Sequence, residues 1–285
     1  MQQLQERFDT YLDRTSIQKS PRTERWERRS FSGWRRFLEE GLGLPAEAFE
    51  ARVLEVDEWA TWNRRRGVSP ITVNSYWRGL RLFFNDWERR EDVVNPFRRS
   101  RTPRFQAAPP KALTQTDCRR LLLTAANMPR WDRFQRARNT ALLATMLYAG
   151  LRLGEVLALL YADVDLEEGT LRVVRGKGRY GGRTRLAEVG PDLTAILNAY
   201  VKERRHIGYQ NPEFFSSLAG GRLGVGGINH LIRTVRAASG VRFSAHVLRH
   251  SFVTHLLRAG VPLYIARDLA GHANISTTLG YTKVF

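Results

Sequence analysis

The sequence predicts a mostly α-helical protein that contains one small antiparallel β-sheet and is divided into two domains. Through most of its 285 residues, apolar side chains recur at the spacing of a helix. Between Gly169 and Gly190 the pattern changes to the alternation typical of strands. Residues 101–112 combine arginines with prolines, which is typical of an extended linker. We therefore expect domains at residues 1–100 and 113–285, each large enough to bury its own core.

The composition points to a polyanionic partner. Lysine and arginine number 46 against 28 aspartates and glutamates, which gives a formal net charge of +18. Nucleic acid is the simplest partner for such an excess, and a solvated basic surface is the alternative. The single cysteine, Cys118, excludes an internal disulfide and a cysteine-based metal site. No stretch resembles a signal peptide or a membrane span, so we expect a cytoplasmic protein that associates with the nucleoid and not with a membrane.

The N-terminal part is predicted to be a small helical bundle with an aromatic core. One helix ends near Gly41 and a second near Gly67, since glycine commonly terminates a helix. Ser69 and Pro70 supply the cap and the first position of a third helix. The three apolar stripes comprise Trp26, Phe31, Trp34, Phe37 and Leu38, then Val56, Trp59 and Trp62, then Val73, Tyr76, Leu80, Phe83, Phe84 and Trp87. Core packing is the interpretation we adopt for these side chains.

Arginines lie between these stripes and continue into the linker. On the helices they are Arg64, Arg65, Arg66, Arg78 and Arg81, and in the linker Arg101 and Arg104. With this net charge we favour contacts to DNA phosphates over a merely solvated face. A basic linker that crosses DNA would let the two domains hold opposite faces of the duplex, whereas the simpler alternative is a plain tether.

The second domain is predicted to start with a capped helix and to continue with two more. Thr114 and Asp117 resemble a capping box at the first of them. The buried side of this helix comprises Leu121, Leu122 and Leu123. A longer helix opens at residues 138–139 and ends at Gly150, and the helix after it carries Arg152 and Glu155.

A β-hairpin is predicted between Gly169 and Gly190, with Lys177 flanked by glycines in its connection. As an isolated surface lysine Lys177 would be unremarkable, but from a hairpin it could reach a DNA backbone. Further helices are predicted over residues 193–201 and 228–238. The glycine-rich segment ahead of the second lacks the lysine of a phosphate-binding loop, so we assign it no nucleotide.

The C-terminal part carries polar residues suited to phosphodiester chemistry. His246 and Arg249 lie on one face of a helix because they are three residues apart. His272 follows the next helix, and Tyr281 closes a last short helix. The cations would hold a phosphate while the phenol attacks it.

These motifs, in this order, resemble the tyrosine recombinase (phage integrase) family. They are Gly150-x-Arg152-x-x-Glu155, Lys177 in a hairpin, His246-x-x-Arg249-His250, Gly271-His272 and Tyr281. The resemblance is close over the second domain and looser over the part before it. Within the family, the chain resembles the Xer-like site-specific recombinases. It implies an N-terminal helical core-binding (SAM-like) domain and a mixed α/β tyrosine-recombinase catalytic domain.

The resemblance also implies a role for each matched residue. Tyr281 would be the nucleophile, and Lys177 the general acid that protonates the leaving 5′ oxygen. Arg152 and Arg249 would clamp the scissile phosphate, as a bidentate guanidinium can and a lysine cannot. The remaining assignments are His246 and His272 for hydrogen bonding or proton transfer, Glu155 for orienting Arg152, and His250 for packing behind Arg249. The alternative for Arg152 is a plain pair with Glu155 at a helix start.

We expect neither a metal nor a cofactor, because arginines would take the electrostatic role of a metal. His246 and His250 have a spacing that could bind zinc, but no convincing third ligand accompanies them. The expected partner is double-stranded DNA with a specific recombination site, bound by a homotetramer built as a dimer of dimers or by a hetero-assembly with a paralogue. Only four residues follow Tyr281, fewer than Xer-like recombinases carry, so the subunit contacts stay open.

Two other functions compete with recombination at this stage. A type IB topoisomerase has similar catalytic residues and would relax supercoils as a monomer. A DNA-binding protein without catalysis is the other, and the complete set of six candidate catalytic residues argues against it.

Overall fold

The computed structural model describes residues 4–44, 53–91, 94–100, 111–174 and 184–271. The chain divides into two compact units, Met1–Ala108 and Pro109–Phe285. Most of the predicted linker, together with Arg101 and Arg104, lies outside the described residues, so its course stays a prediction. None of the helices in the described parts is long and apolar enough to cross a membrane.

The first unit is built from helices around an aromatic core. The helices are α1 (Leu4–Ser16), α2 (Pro21–Arg36), α3 (Val53–Arg65), α4 (Pro70–Glu88) and α5 (Pro96–Arg99), and a π-helical turn, Phe37–Gly41, continues α2. Ser20 and Ser69 cap α2 and α4, each just ahead of a proline at the first helical position.

Most of the side chains in the apolar stripes predicted from the sequence form the core of this unit, but Trp26 is only partly buried and lies outside it. Trp34 and Trp59 are 1% and 0% exposed, and Phe97 packs edge-on against both. Trp62 and Tyr76 are only partly buried and cover the rim of the cluster. Rings of this size bury enough apolar surface to hold short helices together.

The second unit has a mostly buried helix at its centre. Among the described residues its α-helices are α6 (Gln115–Ala126), α7 (Arg133–Tyr148), α8 (Leu153–Ala158), α9 (Pro191–Ile207), α10 (Val225–Ser239), α11 (Ala245–Arg258) and α12 (Leu263–Ala270). Helix α7 packs against α6, α9 and α11, and Leu142, Leu143 and Met146 on it are fully buried. Because α8 directly follows α7, the packing of α7 fixes where α8 begins.

The predicted hairpin is present as part of a small antiparallel sheet. Among the described residues the strands are β1 (Val164–Asp165), β2 (Thr170–Val173) and β3 (Arg185–Glu188), in the order β1-β2-β3. Val173 pairs with Arg185 at the end of the β2–β3 ladder. Residues 175–183, which include Lys177, lie outside the described residues. The mostly helical class with a small antiparallel sheet is confirmed.

Several predicted details of the second unit were wrong. Helix α7 begins at Arg133, not near residue 138, because Asp132 and Gln135 form a capping box there. Leu123 is 54% exposed, since α6 buries only one side against its neighbours. Helix α9 runs on to Ile207, where Gly208 ends it in the left-handed conformation.

Candidate active site

The candidate site is organised around the carboxylate of Glu155, in the first turn of α8. The Arg152 backbone amide donates to Glu155 Oε2 at 2.9 Å, and Arg152 Nη1 donates to Oε1 at 2.8 Å. The Glu155 side chain is 9% exposed, whereas that of Arg152 is 40% exposed. Glu155 thus fixes the helix start and the guanidinium together, and leaves the guanidinium accessible to an anion.

Helix α11 brings Arg249 to the same carboxylate. Ser244 caps this helix by accepting a hydrogen bond from the Val247 amide. The Arg249 side chain is 4% exposed, and its Nη1 lies 3.8 Å from Glu155 Oε2. It also donates to the carbonyls of Gly150 and Ala270. Arg249 therefore joins three segments that are distant in the sequence.

The C-terminal end of α12 is held by both arginines. Arg152 Nη2 donates to the Gly271 carbonyl at 2.9 Å, one residue beyond the Ala270 carbonyl that Arg249 binds. The last carbonyls of a helix lack partners within the helix and carry partial negative charge, so guanidiniums bind them well. Gly271 ends α12 in the left-handed conformation, with φ of 64°. This fixes the chain immediately ahead of His272.

A third arginine, Arg185 on β3, was missed by the sequence analysis. Its Nη2 donates to Glu155 Oε2 at 3.1 Å, and its side chain is 13% exposed. No sequence signal marks it, because the contact joins a strand to a helix start thirty positions away. In the sequence alone, Arg185 cannot be distinguished from the many other basic residues of the chain.

The electrostatics of the cluster favour an anion. Burial alone would raise the pKa of Glu155, but hydrogen bonds from Arg185 and from Arg152 outweigh it and hold that pKa below its ordinary value. Glu155 is therefore ionised at neutral pH. Among the described residues, three guanidiniums stand around this one carboxylate, which leaves an excess of positive charge. A phosphate would balance that excess.

His246 and His250, both on α11, occupy different surroundings. His246 is exposed in the first turn of the helix, three residues ahead of Arg249. His250 is 4% exposed, and burial, aided by the neighbouring charge of His246, lowers its pKa. A buried histidine with a lowered pKa stays neutral at physiological pH. This environment agrees with the packing position proposed for His250.

The structure thus brings Arg152, Glu155 and Arg249 together, with His246 on the same helix as Arg249. Lys177, His272 and Tyr281 lie outside the described residues, so their placement stays a prediction. Within the described residues, no group of three or more His, Cys, Asp or Glu side chains is arranged to hold a metal ion.

Of the arginines predicted to contact DNA, the five that lie among the described residues are exposed. Arg64 and Arg65 end α3, and Arg78 lies on α4. Arg66 pairs with Glu40 and stacks over the Trp62 ring at 4.3 Å, and Arg81 lies 5.3 Å from the Trp77 ring centre. Stacking orders a guanidinium without removing its charge.

Comparison with known proteins identifies the class. Residues 111–285 match the model of the phage integrase family. The chain belongs to this family. Among its relatives, a tyrosine recombinase XerA from Thermococcus kodakarensis is 32% identical over 280 residues, which cover 98% of this chain and 90% of that protein. The resemblance drawn from the motifs is therefore confirmed.

Solved structures share the fold. The Tn1549 transposon integrase in complex with transposon right-end DNA matches with a TM-score of 0.75 at 19% identity, over 98% of this chain and 94% of that one. A lambda integrase dimer bound to a COC′ core site matches with a TM-score of 0.75 at 16% identity, over 97% of each chain. Both of those proteins were solved on DNA.

Proposed function

We propose that this protein is a site-specific DNA recombinase that cleaves and rejoins strands through a 3′-phosphotyrosyl intermediate. The observation that carries the proposal is the pairing of Arg152 and Arg249 on one buried carboxylate, inside the region that matches the family. Both guanidiniums also bind the end of α12, directly ahead of His272. That arrangement suits a single phosphate held between two cations.

The two arginines supply the electrostatic part of the reaction. Attack on a phosphodiester places extra negative charge on the non-bridging oxygens, and fixed guanidiniums stabilise this charge without reorganising. Arg249 is locked by backbone carbonyls, and Arg152 is locked by Glu155. Their preset geometry is what makes them effective, because no motion is needed when the charge develops.

Tyr281 is the nucleophile in this proposal. Its oxygen forms a bond to the scissile phosphorus as the bond from phosphorus to the 5′ oxygen breaks. Lys177 gives its proton to the leaving 5′ oxygen, while His246 and His272 hydrogen-bond the phosphate or carry the phenol proton away. The phosphotyrosyl bond retains the energy of the phosphodiester, so a different 5′ hydroxyl reverses the reaction.

The DNA is held by both parts of the chain. Residues 1–100 form the core-binding domain, residues 101–112 the basic linker and residues 113–285 the catalytic domain. The exposed arginines of α3 and α4, with Arg101 and Arg104, contact phosphates. Four protomers assemble as a dimer of dimers on two recombination sites, either alone or with a paralogue, and the protein acts at the nucleoid.

A two-site strand-exchange assay tests this function. Two duplexes of different length carry a site recovered by binding selection from random DNA, and the reaction contains EDTA. The proposal requires recombinant products of the two expected new lengths, absent with Tyr281→Phe and with Arg152→Ala. Relaxation of a supercoiled plasmid that lacks the site, without any exchange, would identify a topoisomerase instead.

A further inference from the structure

Arg185 lies where three elements of the candidate site meet. It begins β3, its Nη2 donates to Glu155 Oε2 at 3.1 Å, and its side chain is 13% exposed. A Cβ added to Gly271 would lie 3.0 Å from Arg185 Nε and 3.1 Å from its Cζ. The guanidinium therefore occupies space that a glycine at position 271 leaves open, and it packs the sheet against the end of α12.

The oxygen that Arg185 binds is one that several donors approach. Glu155 Oε2 accepts from the Arg152 amide at 2.9 Å and from Arg185 at 3.1 Å. Arg249 Nη1 lies 3.8 Å from the same oxygen, which is beyond hydrogen-bonding distance. Without Arg185, a movement of about 1 Å would let Arg249 bind Oε2 directly. Such a movement would draw Arg249 away from the Gly150 and Ala270 carbonyls that orient it.

Neither its packing nor its ion pair with Glu155 fully explains why an arginine occupies position 185. Its Nε and Nη1 are buried and have no hydrogen-bond partner among the described residues. Buried donors without partners destabilise a folded protein, so an apolar side chain would fill this space with less penalty. The feature that an apolar side chain could not supply is the positive charge beside Glu155.

We propose that Arg185 is a positioning residue for strand cleavage, which acts by occupying Glu155 Oε2 and so holding Arg249 in its phosphate-binding orientation. The inference rests on the proposed function, and it assigns a third arginine to the site. Arg185 acts through Glu155 and Arg249, and it does not act on the leaving group.

The test measures the rate at which a saturating nicked suicide duplex becomes covalently bound to the protein. Arg185→Gln is expected to slow this step by roughly 10- to 100-fold, because small misplacements of a catalytic group have effects of this size. The dissociation constant for the duplex should change far less. Arg185→Lys keeps a cation beside Glu155 and should slow the step less than Arg185→Gln does.

Arg172→Gln is the matched control. Arg172 lies on the neighbouring strand β2 and binds the buried carboxylate of Asp163 at 2.7 Å, away from Glu155. Removing it breaks a similar pair between the sheet and a buried acid, so it reports what a purely structural loss does to the rate. Thermal unfolding of each variant confirms that the proteins compared are folded.

Two further readouts separate positioning from other roles. A duplex with a 5′-bridging sulfur has a leaving group that needs little protonation, so it rescues defects of a general acid. It should not restore the rate of Arg185→Gln. In a protein that already carries Glu155→Gln, adding Arg185→Gln should slow cleavage by less than about threefold more, since the effects of residues that act through one another are not additive.

The results that would overturn the inference about Arg185 differ from the result that would overturn the proposed function. The inference fails if Arg185→Gln reacts as fast as Arg172→Gln, if Arg185→Lys is as slow as Arg185→Gln, if the bridging sulfur restores the rate, or if the effects of Arg185 and Glu155 are additive. Wild-type protein that forms no covalent complex, although it binds the duplex tightly, overturns the proposed function and the inference with it.

Discussion

Arg152 and Glu155 are joined by two separate hydrogen bonds. The Arg152 guanidinium donates to Oε1 at 2.8 Å, and the Arg152 amide donates to Oε2 at 2.9 Å. One carboxylate therefore caps the start of α8 and orients the guanidinium of a side chain that is 40% exposed. The same two bonds form the helix-start pair and hold the guanidinium that the proposed function assigns to the phosphate, two roles that the sequence presented as alternatives.

Glu155→Gln is expected to reduce the free energy of unfolding by roughly 3 kcal/mol, because the substitution leaves buried guanidiniums without their counter-charge. The folded-state pKa of Glu155 lies below the ordinary value. The stabilisation of the folded protein by the ionised Glu155 carboxylate is therefore present above about pH 4.3 and is lost as pH falls through the folded-state pKa of Glu155. Urea unfolding across pH should show a constant difference from wild type at neutral pH that closes in acid.

Glu188→Gln is the control for that measurement, since Glu188 is an exposed residue on β3. It should change the free energy of unfolding by less than about 0.5 kcal/mol. A Glu155→Gln protein as stable as this control at pH 7 would show that the carboxylate does not organise the cluster.

Gly150→Ala is expected to destabilise the protein by about 2–4 kcal/mol. Gly150 has φ of 62°, and an added Cβ would lie 2.3 Å from Cδ1 of Phe252. Its carbonyl also accepts a hydrogen bond from Arg249, so covalent-complex formation should fall as well. The measurement is urea unfolding together with the cleavage rate.

Gly154→Ala provides the comparison, because Gly154 lies in α8 with nothing within 4 Å of the added Cβ. Alanine in a helix is favoured over glycine, so this variant should gain about 0.5–1 kcal/mol. Equal effects of the two substitutions would contradict the close approach of Gly150 to Phe252.

His250→Asn is expected to weaken the loss of stability in mild acid. Burial lowers the pKa of His250 in the folded protein. The unfolded chain therefore takes up a proton from about pH 6.5 downward before the folded chain does, and stability falls over that range. Urea unfolding between neutral and mildly acidic pH should give a shallower decline for His250→Asn than for wild type.

His230→Asn serves as its control, because His230 is exposed on α10. It should retain the wild-type dependence on pH. A decline that is equally steep in His250→Asn would locate the acid sensitivity elsewhere.

Arg78→Ala is expected to weaken DNA binding about equally on all sequences. If Arg78 contacts one phosphate, the slope of log affinity against log salt should fall by about 0.9. Fluorescence anisotropy between about 50 and 200 mM salt measures this slope. Arg28→Ala is the control, since Arg28 on α2 already pairs with Glu24, and its slope should stay at the wild-type value. An unchanged slope for Arg78→Ala would make Arg78 part of a solvated face.

The parts of the fold that the sequence predicted depend on local signals. The Ser69 hydroxyl accepts from the Thr72 amide and the Thr114 hydroxyl accepts from the Asp117 amide, each within one turn of a helix, so the pattern and the structure agree. The start of α7 carries the same kind of local signal, the capping box of Asp132 and Gln135. The pair of Arg152 with Glu155 was likewise foreseeable at three residues apart.

The remainder of the site depends on contacts between distant segments. Arg249 binds the Gly150 carbonyl across 99 residues, and Arg185 reaches Glu155 only after the sheet packs beside α8. No periodicity or cap encodes such contacts. A resemblance to a family supplied the roles of Arg152 and Arg249, but it did not supply Arg185.

In the proposed reaction, Tyr281 attacks a phosphodiester held by Arg152 and Arg249. The most direct measurement incubates the protein in EDTA with a nicked suicide duplex that carries the selected site, followed by a denaturing gel and peptide mass spectrometry. We expect a covalent protein–DNA band whose attachment maps to Tyr281, absent with Tyr281→Phe and strongly reduced with Arg249→Ala. Tight binding without any covalent band, or attachment at another residue, would contradict it.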